Sequence, residues 1–149
     1  MFRPPKFMVL LMGDDPLNPA PVTIDIATVM GSEPPSVHVF AVYVPNKDRD
    51  GIEIGTQRKW VLEAVTLLGE INGGSTALNV EGSWLNPETN RPVFDHPVYV
   101  FSFIKDGDEF RDRLPKIRLF LHRMGRETNQ GEVAFEFDHD FYRITKFDT

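Results

Sequence analysis

The chain contains no cysteine. That absence excludes disulfide frameworks, cysteine-ligated zinc, iron–sulfur clusters, CxxC redox chemistry and thiol nucleophiles together. Long apolar runs are missing too: Phe7-Met8-Val9-Leu10-Leu11-Met12 ends at Gly13-Asp14-Asp15, short of a signal-peptide core or a membrane span. Positive charge is scarce, with 16 Lys+Arg against 22 Asp+Glu, a net charge of -6 and a pI near 5.2. This is the opposite of a general nucleic-acid binder's footprint. The expectation is a cytoplasmic protein that enters no membrane and does not take nucleic acid as its partner.

Motifs of the common catalytic and cofactor classes are equally absent. There is no Gly-x-Ser-x-Gly elbow, and Gly73-Gly74 follows a helical pattern rather than a strand, the wrong order for a dinucleotide or phosphate loop. The histidines, His38, His96, His122 and His139, show no His-x-His, His-x3-His or His-Glu-x-x-His spacing. No cofactor or metal is therefore expected. A site assembled from Asp95, His96, His122 and Glu132 across separate strands would be the one metal arrangement left open.

What is present is enough for a core. The 149 residues are 41% hydrophobic, 11% aromatic and 26% charged, which suits one packed domain without covalent staples. Seven of the twelve prolines fall within residues 1–36, so this stretch reads as an extended arm carrying strands at Phe7–Met12 and Val22–Met30. Residues 37–149 read as the domain proper.

Within it, Val37 to Pro45 is β-branched and aromatic and predicts a strand. Trp60, Ala64, Leu67, Leu68 and Ile71 give a helical stripe over Gln57 to Ile71, with Thr56 as its cap and Asn72-Gly73-Gly74 as its end. Ser75 to Leu85 reads as one strand. Val98 to Ile104 is apolar throughout and predicts a central strand buried on both sides. Phe110, Leu114, Ile117, Leu121 and Met124 mark a second helix, stopped at Gly125 and kinked or restarted at Pro115. Val133 to Phe137 and Phe141 to Phe147 then form a terminal hairpin through Asp138-His139-Asp140. The order strand, helix, strand, strand, helix, strand predicts a ferredoxin-like α+β fold, both helices on one face of an antiparallel sheet and the other face left to solvent, the arm or a second copy.

Positive charge concentrates in one place: Arg111, Arg113, Lys116, Arg118, Arg123 and Arg126 against Asp112 alone. Arg118, His122 and Arg126 share a helical stripe with Arg111, and Asn129 and Gln130 follow in the next loop. Guanidinium groups take carboxylate or phosphate bidentately and the amides read hydrogen-bond patterns, so Arg118, His122, Arg126, Asn129 and Gln130 form a candidate site for an anionic small molecule. The competing reading is a helix terminus whose cations complement the macrodipole. Catalytically, His122 would act as general acid/base with Glu127 or Glu132, in a hydrolase or isomerase. Tyr43, Tyr99 and Phe101 could stack RNA bases only if their strands were exposed and basic.

Gly82-Ser83-Trp84, the strand after it, and the passage through Gly125 and Gln130 to Val133 resemble small bacterial ferredoxin-like proteins of uncharacterised function, over roughly residues 56–145. The resemblance implies the fold and a tendency of such sheets to pair into homodimers, and carries no activity. The expected function is binding of an anionic small molecule or a protein partner, with the small enzyme and a structural interaction module as alternatives.

Overall fold

The computed structural model describes residues 17, 19–21 and 23–149. The chain divides into two compact units, Met1–Pro35 and Ser36–Thr149.

In the first unit the strand expected at Val22–Met30 is instead a short helix, α1 (Ile26–Met30). Its ends explain the difference. Asp25 caps it, one carboxylate oxygen accepting from the Thr28 amide at 3.2 Å and the other from the Thr28 hydroxyl at 2.8 Å, and Gly31 closes it in the left-handed conformation. Two good caps outweigh a weak alternation. The strand expected at Phe7–Met12 lies outside the described residues.

The second unit runs β1 (His38–Val44), α2 (Gln57–Asn72), β2 (Thr76–Asn79), β3 (Gly82–Asn86), β4 (Arg91–Asp95), β5 (Val98–Ile104), α3 (Gly107–Glu127), β6 (Val133–Phe137) and β7 (Asp140–Ile144). Five strands form an antiparallel sheet in the order β2-β5-β1-β6-β7. The fold is α+β. Phe40, Val42 and Val44 of β1 and Val98, Val100 and Ile104 of β5 face the core, where they meet Trp60, Ala64 and Leu68 of α2 and Ile117, Phe120, Leu121 and Met124 of α3. Among the described residues no helix is long and apolar enough to cross a membrane.

Several expectations are corrected. The single strand over Ser75–Leu85 is split: β2 stays in the main sheet, while β3 pairs only with β4 as a separate ribbon. Close approach at Gly82 shapes that ribbon, because a methyl group there would lie 2.5 Å from an Asp95 carboxylate oxygen. β5 is central but buried on one face only, since Tyr99 and Phe101 are half-buried and Phe103 is 54% exposed on the other. The aromatics shield one another there, Tyr99 meeting Tyr43 at 5.1 Å and Phe101 at 5.8 Å between ring centroids.

Thr56 occupies the cap position of α2, but its hydroxyl accepts from the Trp60 indole at 3.2 Å instead of capping the helix. α3 neither breaks nor restarts at Pro115 and continues past Gly125 to Glu127. Its end is made by Thr128, whose hydroxyl donates to the Met124 carbonyl at 2.6 Å, and by Asn129 at φ 52. Gly125 serves packing rather than termination. A methyl group there would lie 2.2 Å from the Phe147 ring, so only glycine lets that ring seat against the helix.

Candidate functional site

The predicted basic stripe exists, and an anion already lies on it. Arg118 donates to both carboxylate oxygens of Asp148, at 2.9 and 3.0 Å. Arg126 donates to the Asp148 carbonyl. His122 is buried, and its Nδ1 accepts from the Asp148 amide at 2.8 Å. Beside it, Phe147 presents its ring edge to the imidazole at 6.1 Å. Arg118, His122 and Arg126 are thus brought together, around the chain's own Asp148.

Asn129 and Gln130 lie apart from this clasp. The Asn129 amide reaches the Asp50 carboxylate at 3.4 Å, and Gln130 donates to the Lys47 carbonyl at 2.9 Å and the Thr128 carbonyl at 3.2 Å. They pin the loop after α3 to the loop after β1. Glu127 pairs with Arg123 at 3.5 Å and Glu132 with Arg143 at 3.4 Å, so the carboxylate that meets His122 is Asp148. Asp95 and His96 have other surroundings: Asp95 stands over Gly82, and the His96 amide donates to Asn46 at 3.0 Å.

The Arg118 guanidinium holds the Asp148 carboxyl below its ordinary value of 3.8, its hydrogen bonds outweighing a small desolvation cost. A depressed carboxyl stabilises the folded state above its unfolded pKa and loses that contribution as pH falls through the lower folded value. Asp148→Asn should therefore melt below the wild type at neutral pH, with the gap closing below about pH 4. Thermal melts of both proteins across that range check this; an undiminished gap at strongly acidic pH would assign the loss to something other than the ion pair.

A well-walled cavity lies elsewhere. Between the first half of α3 and the sheet edge lies a cavity of about 480 Å³, walled by the five aromatics Phe40, Phe110, Phe135, Phe137 and Tyr142 together with Ile104 and Leu114. Phe110 stacks on Phe137 at 6.1 Å and Phe135 on Tyr142 at 5.0 Å. Its polar liners are few, namely His38 and Arg111. His38 Nδ1 lies 2.6 Å from an Asp138 carboxylate oxygen. Arg111 is exposed and pairs with Asp108 at 3.3 Å.

The hairpin β6–β7 sets this up. Phe137 registers opposite Phe40. The loop between the two strands consists of Asp138 at φ 50 and His139 at φ 71, the paired left-handed conformations of a type I′ turn, which aspartate tolerates. The Asp138 amide donates to the Val39 carbonyl at 2.9 Å, and its second carboxylate oxygen accepts from the Val39 amide at 2.9 Å. Partial burial raises the Asp138 pKa, but the bonds from His38 and the Val39 amide outweigh it, and the carboxyl is held below its ordinary value. In the sequence Asp138 falls in the hairpin turn and His38 in the first strand, with nothing to link them. A contact across 100 positions leaves no local signal.

No family model matches this sequence, and no curated protein matches it. Two solved chains are similar in structure. A phage SAM lyase in complex with S-methyl-5'-thioadenosine shares 14% identity over 73% of this chain and 89% of its own, with a TM-score of 0.51. The same phage enzyme in its apo state gives 15% identity, the same coverage and a TM-score of 0.48. The first likeness is one of fold alone.

Proposed function

We propose that this is a small-molecule-binding protein of the ferredoxin-like class, acting in the cytoplasm, whose ligand places a flat apolar body in the aromatic cavity and an anionic or polar end toward His38 and Arg111. The class is supported by the elements of the main sheet, which run βαββαβ once the separate β3–β4 ribbon is set aside, and by the strand order β2-β5-β1-β6, to which β7 adds at one edge. The binding reading is carried by one observation, the 480 Å³ cavity with two polar liners among its aromatic walls. Ligand pockets commonly hold roughly 300–1,000 Å³ and combine apolar walls with a few placed polar groups. The basic stripe is the weaker candidate for the anion, because its donors already engage Asp148.

Anilinonaphthalene sulfonate matches this description, with fused rings and one anionic group, and reports its own binding by fluorescence. Titration should give one saturable site. Leu114→Trp, at a half-exposed position on the cavity wall, should fill the space and weaken binding by about tenfold or more, a loss of roughly 1.4 kcal/mol. Binding unchanged in that variant would remove the cavity from consideration. S-methyl-5'-thioadenosine, the ligand named for the phage enzyme, belongs in the competition series as a nucleoside of similar bulk.

A further inference from the structure

We propose that His38 and Asp138 form a proton-transfer pair serving the aromatic cavity, with His38 as the catalytic base and Asp138 as its positioning residue. This rests on the cavity being a binding site. The substrate class is a flat, largely apolar molecule carrying an acidic C–H beside an electron-withdrawing group.

The chemistry follows from the contacts. An ionised carboxylate only accepts hydrogen bonds, so at 2.6 Å from Asp138 the His38 Nδ1 is the donor. The lone pair then sits on Nε2, the nitrogen that can take a proton. Asp138 is itself held by Val39, whose amide donates to its carboxylate and whose carbonyl accepts from its amide, so the imidazole is oriented by a group that is fixed. This is the arrangement by which a carboxylate sets the tautomer of a catalytic histidine and stabilises the imidazolium that forms. An exposed hydrogen-bonded pair of this kind contributes little to stability. Its position matters more, since His38 lines the cavity and stacks on Phe137 at 6.4 Å. Other charged or titratable groups in this neighbourhood include Arg111 on α3, Tyr142 on β7 and His139 beside Asp138 in the turn.

In the proposed step the C–H bond breaks, its proton goes to Nε2, and the electron pair moves into the electron-withdrawing group. Return of the same proton to a second atom completes an isomerisation with no oxidant, reductant or other co-reactant. Nitrobenzisoxazole probes this directly: loss of its ring proton to a base forms a nitrile as the N–O bond breaks, and the coloured phenolate leaves. The imidazolium then gives its proton to water.

The full-length protein should accelerate this ring opening with saturation. His38→Gln should lower kcat by about a hundredfold, within the usual range for a general base, while still binding anilinonaphthalene sulfonate saturably, with only the modest loss of affinity expected when one of the two polar liners is altered, which shows fold and cavity intact. Asp138→Asn should lower kcat and leave KM in place. Added imidazole should restore turnover to His38→Ala and do nothing for Leu114→Trp. A wild-type rate retained in His38→Gln overturns the pair while leaving the binding site standing. Absence of both saturation and sulfonate binding in the wild type overturns the binding site, and the pair with it.

Discussion

Trp60→Ala should lower the stability of the protein by about 3–5 kcal/mol, the usual range for removing a buried tryptophan side chain. Trp60 is 2% exposed and sits on α2 where both helices and the sheet converge. Its ring meets Phe120 of α3 at 6.1 Å, while Lys59 and Arg123 approach it at 4.7 and 4.9 Å. Arg123 is in turn paired with Glu63 and Glu127, and the Glu63 hydrogen bond above all raises its pKa, so it stays charged over the ring. Truncation would therefore leave a cavity between the helices, break the indole N–H bond to the Thr56 hydroxyl and remove the face on which a guanidinium rests. Urea unfolding of the wild type, Trp60→Ala and Trp60→Phe measures this. Phenylalanine should recover most of the difference, and an alanine variant within 1 kcal/mol of wild type would mean that α2 does not pack as described.

What the sequence disclosed was local. The β-branched and aromatic run at Val37–Pro45, the stripe at Trp60–Ile71 and the apolar run at Val98–Ile104 each became the expected element, although the last is buried on one face only. The failures occurred where a side chain is spent on a distant partner. Gly125 looked like a helix stop, but the feature that requires glycine is the ring of Phe147. The basic stripe looked like an open anion site, and Arg118, His122 and Arg126 do converge, yet they converge on Asp148, which lies 30 positions from Arg118, and nothing in either segment announces the other. His38 and Asp138 are separated further still. The aromatic cavity combines Phe40, Phe110, Phe135 and Tyr142 from four elements, so its existence depends on how α3 lies against the sheet. Composition could supply the aromatics, and only the fold could gather them.

Pro115→Ala should make the protein more stable and a poorer binder. Proline in a helix interior is about 3 kcal/mol less favourable than alanine, because its nitrogen donates no hydrogen bond and its ring crowds the carbonyl four residues back. Here that carbonyl belongs to Arg111. Restoring the bond, less up to about 1 kcal/mol for the looser unfolded chain, leaves a gain of about 2 kcal/mol. The α3 residues that line the cavity, Gly107, Phe110, Arg111 and Leu114, all precede the proline, and Phe110 is shared with the core that Ile117, Phe120, Leu121 and Met124 fill behind it. Restoring the missing hydrogen bond would tighten the turn that carries Phe110 and Leu114, both of which wall the cavity. The denaturant midpoint should therefore rise at unchanged slope while the affinity for anilinonaphthalene sulfonate falls. Such a trade of binding for stability is what a locally unfavourable residue kept beside a functional cavity implies. A variant less stable than the wild type would instead mean that the core half of α3 packs correctly only with the proline in place, and that Pro115 serves the core rather than the cavity.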